Sequence, residues 1–128
     1  METNEKLSAT SDIRTSISTL WIIVMFNMVF ADIIGLLNPG TIEQMMTMKP
    51  SQELLFVFSI LIEIPIAMIF LSRILKPKKN RWANIVASVI TILWIIGGGT
   101  LSASYIFFAS IEVISMLEII RYSLKLIE

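Results

Sequence analysis

The sequence contains no cysteine and no histidine. These two absences exclude a disulfide framework, a thiolate nucleophile and any Cys/His metal centre. They also remove the commonest general base at neutral pH. Charge is scarce, at 16% of residues against roughly 25% in an ordinary soluble domain. Lys+Arg and Asp+Glu number 10 each, so there is no basic surplus to meet nucleic acid. No phosphate-binding glycine loop or haem-ligating pattern is evident, so neither catalysis nor a cofactor is expected.

What fills the chain instead is apolar. Of 128 residues, 55% are hydrophobic, and isoleucine alone supplies 24 positions. Mean hydropathy is +0.81. A chain this short cannot hide that much apolar surface in a water-soluble core. Intrinsic disorder is excluded for the same reason. The surplus is expected to face lipid.

Four apolar stretches approach the ~20 residues needed to cross a bilayer. They cover about 17–37, 53–75, 82–100 and 104–124. Helices are expected, because a helix satisfies its own backbone hydrogen bonds in lipid and these runs lack the alternation of a barrel strand. The fold class is therefore all-α, a four-helix transmembrane bundle over 17–128 preceded by a polar segment over 1–16. Asn38-Pro39-Gly40 stops the first helix, and Lys76-Pro77 ends the second. Asn80 suits an N-cap of the third helix. Gly97-Gly98-Gly99 either forms the turn before the fourth helix or lets helices pack closely, Gly98 and Ser102 being four apart.

Loop charges set the expected orientation. Lys6, Arg14, Arg73, Lys76, Lys78, Lys79, Arg81, Arg121 and Lys125 fall on one side, and only Lys49 on the other. Both termini are thus expected in the cytoplasm, with the chain in the cytoplasmic membrane. The basic connection between Arg73 and Arg81 reads as this orientation signal rather than as an anionic-lipid site. Trp21, Trp82 and Tyr122 fall where interfacial anchors belong, as does Tyr105 on the opposite side, while Trp94 lies deeper. Val29-Phe30-Ala31 loosely resembles a signal-peptide cleavage site. The mixed charge of the leader argues against cleavage. In the opposite loop, Thr41 and Gln44 match a capping box. They open a short amphipathic helix expected to lie on the membrane surface, as an anchored loop or as a lid over an opening.

Helical spacing then sorts polar residues into inward stripes. Asp32 in the first helix, Ser59 and Glu63 in the second, Ser88 and Thr91 in the third, and Glu112 and Ser115 in the fourth define a polar seam. Asn27 lies near the midplane. Glu63 and Glu112 lie ~15 Å and ~12 Å deep by the helical rise. A charged carboxylate there costs at least ~2.5–3.5 kcal/mol, so both are expected to seek partners inside the bundle. Pro65 removes a backbone N–H beside Glu63 and is expected to kink the helix, freeing the carbonyl of Leu61. Glu118 and Arg121, three apart near the membrane boundary, suit a helix-surface ion pair.

Trp21, Met25-Phe26, Asp32, Gly35, Pro39-Gly40, Leu75-Lys76-Pro77, Asn80-Arg81-Trp82 and Asn84-Ile85 resemble a group of small bacterial four-helix membrane proteins known as a domain of unknown function. The resemblance implies four spans and a membrane location, and carries no catalytic residues. Two classes of function remain open. One is an accessory or assembly component whose seam holds a homo-oligomer or a larger membrane-protein partner. The other is a proton- or cation-coupled transporter of small solutes that uses Asp32, Glu63 and Glu112. No metal site and no nucleic-acid partner are expected.

Overall fold

A computed structural model describes residues 2–98 and 102–126. It contains five helices: α1 (Glu2–Gly35), α2 (Thr41–Met48), α3 (Gln52–Ile74), α4 (Pro77–Gly97) and α5 (Ala103–Ser123). All but α2 are long and apolar enough to cross a membrane. At ~1.5 Å per residue, α3, α4 and α5 match a ~30 Å hydrocarbon core. The 34 residues of α1 exceed it, and the described part of the polar segment, 2–16, continues the first span as helix.

Local chemistry sets the ends. Ser51 caps α3, its hydroxyl accepting the N–H of Leu54 at 3.2 Å. Ser102 caps α5 in the same way, accepting the N–H of Tyr105. Pro77 occupies the first turn of α4, where its missing N–H costs nothing, after an extended Lys76. Asn80 is therefore not the N-cap. It lies inside α4 and is buried. The capping box at Thr41 also does not form: Gly40, at φ 83°, precedes α2 and no side chain caps it. A left-handed backbone there favours glycine. Helix α4 ends at Gly97 with Gly98 as its cap, consistent with a turn at this point; Gly99 lies outside the described residues.

The four long helices form a square in chain order. Helix α1 packs on α3 and α5, and α4 packs on the same two from the opposite corner. The tightest packing lies toward the end that carries Arg73, Lys76 and Arg81, here termed the basic end. Ile17, Trp21, Val24, Met68, Met116 and Ile119 form its apolar core. The outer faces present large apolar side chains such as Phe26, Phe70, Leu93 and Phe107, as a lipid-facing surface requires.

A buried polar knot crosses this core. Trp21 donates its indole N–H across the bundle to Asn84 Oδ1 at 2.7 Å. The Ser72 hydroxyl lies 3.1 Å from the same oxygen and 2.5 Å from the carbonyl of Met68. Asn80 donates to the carbonyl of Ser72 at 2.7 Å, and Asn84 donates to the carbonyl of Asn80 at 2.8 Å. Beside the knot, Arg73 Nε donates to Ser18, whose hydroxyl donates to the carbonyl of Ile69. Side chains from α1, α3 and α4 thus satisfy one another where no water is at hand. Trp21 is correspondingly a fully buried core residue rather than an interfacial anchor. Trp82 is exposed, and Tyr122 lies under the side chains of Arg121 and Lys125.

Candidate functional site

Toward the opposite end the helices part. A cavity of about 220 Å³ opens between α1, α3, α4 and α5, lined by Met28, Asp32, Phe58, Trp94, Tyr105 and Glu112 among others. A second, shallower cavity of about 480 Å³ adjoins it. The two share Ala31, Asp32, Gly98 and Tyr105. Thr41 and Met45 of α2 line the shallower one, so the short surface helix sits at its rim.

Each wall follows from local sequence. Asp32 lies three residues before the end of α1, beside Ala31, whose small side chain leaves room. Glu112 lies nine residues into α5, on the face that also buries Ser115, Met116 and Ile119. Gly98 ends α4 at the mouth. A Cβ there would come 3.3 Å from the carbonyl oxygen of Trp94, a tight contact. The phenol of Tyr105 donates to the carbonyl of Ile95 at 2.8 Å, which fixes its ring against α4. Phe58 and Trp94 meet edge to face with centroids 5.2 Å apart.

The electrostatics are one-sided. Glu112 is only 2% exposed, yet its carboxyl makes no hydrogen bond or ion pair among the described residues. Among the described residues no Lys or Arg lines either cavity. A buried acid without a partner is expensive in a low-dielectric setting, and such groups in membranes mark ion, proton or substrate paths. No group of three or more His, Cys, Asp or Glu side chains that could hold a metal ion occurs among the described residues.

The seam residues separate into three sets. Asp32 and Glu112 share the cavity. Ser88, Thr91 and Ser115 are buried. Thr91 bonds to the carbonyl of Ala87 on its own helix, while the hydroxyl of Ser88 has no partner among the described residues. Ser59 and Glu63 belong to neither set and must be corrected. Both are exposed on the outer face of α3, where Ser59 bonds back to the carbonyl of Leu55. The reason is angular. Pro65, Met68 and Ser72 turn inward, and Glu63 lies about 200° round the helix from Pro65 at 100° per residue. Pro65 and Glu63 therefore do not build a joint site, and α3 continues as helix through the proline. Asn27 is likewise outside the cavity, half-buried and bonded to the carbonyl of Ile23 on its own helix.

Helical spacing places Asn84 and Tyr105 on inward stripes, but it discloses neither the knot that Asn84 forms with Asn80 nor Phe58 and Trp94 as cavity walls beside Tyr105. A signal was present for the asparagines. Two carboxamides one turn apart in an apolar span are costly unless they bond each other and a neighbour.

The helices and the lipid-like exterior define a small multi-pass membrane protein built as a four-helix bundle, with one buried acid, Glu112, among the described residues. The chain belongs to the family of unknown function DUF6326, whose profile matches residues 7–126. No curated protein and no solved structure shows significant similarity to it.

Proposed function

We propose that this protein is a proton- or cation-coupled carrier of small solutes in the cytoplasmic membrane, working through Asp32 and Glu112. The observation that carries this reading is the convergence of two carboxyl groups from α1 and α5 on one cavity with no basic side chain in its wall among the described residues. In this proposal the basic end, with both termini, lies inside, as the nine-to-one loop bias indicates. The cavity then opens outward beneath α2. The polar knot of Trp21, Asn84, Ser72 and Asn80 closes the inner end. An outward opening and a sealed opposite end make one state of an alternating-access cycle. Glu63 has no part in the coupling.

The test is electrical. Proteoliposomes on a solid-supported membrane are challenged with concentration jumps of amino acids, sugars, organic amines and inorganic cations. The expected result is a transient current from at least one solute that disappears in Glu112→Gln. Currents of equal size in wild type and variant, or neither a current nor a solute-driven change of lumenal pH from any solute, would reject the carrier.

A second reading has an observation of its own. Glu63 stands exposed in the middle of α3, the least buried of the four spans. An acid there suits contact with another membrane protein or a second copy better than contact with lipid. This supports an accessory or assembly component, and Glu63→Leu would then release a partner that co-purifies with the wild-type chain.

A further inference from the structure

We infer that the Asp32–Glu112 cavity is a recognition site for a small organic ammonium cation. This deepens the carrier proposal and rests on its reading of the cavity as a cation site. Four observations converge. The first is Glu112, a residue only 2% exposed whose carboxyl has no partner among the described residues and lines the cavity, with the more exposed Asp32 in the same wall. An anionic solute would meet repulsion from both carboxylates there. The second is size. At ~30 Å³ per water, a volume of about 220 Å³ takes roughly seven waters, far more than a proton relay needs.

The third is the rest of the lining. An inorganic cation such as calcium, stripped of its water, takes about six to eight oxygen ligands. Among the described residues only the two acids and the phenol oxygen of Tyr105 offer side-chain oxygens here, and the remaining wall is Met28, Ala31, Phe58, Ile62, Trp94, Ile95 and Gly98. Such a wall is too poor in oxygen to cage a dehydrated inorganic cation. It suits a cation that carries its own apolar skin. The fourth is aromatic. Phe58, Trp94 and Tyr105 surround the space, two of them fixed by a ring contact and one by its hydrogen bond to Ile95. Ring faces attract alkylammonium groups through the aromatic quadrupole, most strongly when water is excluded. The acids supply the charge term and the rings supply the shape and the preference for alkylated nitrogen.

The probe is choline, compared with its uncharged isostere 3,3-dimethylbutan-1-ol and with sodium chloride at equal ionic strength. Isothermal titration calorimetry uses the full chain in detergent. Choline is expected to bind saturably, and the isostere and sodium at least tenfold more weakly. Glu112→Gln should lose choline binding. Trp94→Leu should weaken it roughly tenfold, while Trp94→Phe, which keeps a ring face, should recover most of that loss. Glu63→Gln, on the outer surface, should bind as wild type. A circular-dichroism melt of each variant separates lost binding from lost fold, and Trp94→Phe retains a folded test if Trp94→Leu unfolds. Equal binding of choline and its isostere would overturn the inference, as would equal losses in Glu63→Gln and Glu112→Gln. Glu112-dependent currents from another solute without choline binding would overturn it and leave the carrier standing. Choline binding without any current or change of lumenal pH would uphold the site and reject the carrier.

Discussion

Trp21 shows how one side chain can decide the packing of a bundle. Its ring fills the centre of the core and its single N–H has one acceptor, Asn84 Oδ1. Removing that acceptor strands a buried donor and unbalances Ser72. Asn84→Ala should therefore destabilise the fold by about 1–3 kcal/mol, read as a lowered midpoint of unfolding in detergent. Trp21→Phe should also lower the midpoint, since it leaves a cavity in the core as well as an acceptor short of one partner. The Glu118–Arg121 pair makes the opposite case. It forms at 2.5 Å, but both side chains are largely exposed. Glu118→Gln should leave the melting temperature unchanged, because exposed ion pairs contribute little.

At the scale of the element, α3 separates its functional and lipid faces sharply. Pro65, Met68 and Ser72 look inward, while Ser59, Glu63 and Phe70 look outward. Glu63→Leu should preserve the fold and strengthen membrane insertion by up to ~2.5–3.5 kcal/mol, measured in a segment-insertion assay. A loss of folded protein on this substitution would place Glu63 in the interior after all. The same helix explains what the sequence could and could not disclose. Four spans were legible because length and apolarity suffice to define them. The inward face of α3 was not, because nearly every residue around it is apolar and its few polar groups mark no single side. Glu112 and Asp32 were legible as candidates, since an acid in a span is rare whatever its face. That they share a cavity, and that Tyr105, Phe58 and Trp94 wall it, depends on the square order of the helices, which no local pattern encodes.

For the whole molecule the account makes one end sealed and basic and the other open and acidic. Reporter fusions at the carboxy terminus and within the loop near Gln44 should report opposite sides of the membrane, with the terminus inside. The same side for both would remove the four-span arrangement. Because the chain has no native cysteine, single thiols report the cavity without a modified background. The most direct measurement is the reaction of Asp32→Cys and Glu63→Cys with membrane-impermeant methanethiosulfonate reagents, one cationic and one anionic, added to either face. The account predicts that Asp32→Cys reacts only from the side opposite the basic loops, and faster with the cationic reagent because Glu112 remains beside it, while Glu63→Cys in lipid does not react. Reaction of Asp32→Cys from the basic side, or no more reaction there than at Glu63→Cys, would contradict it.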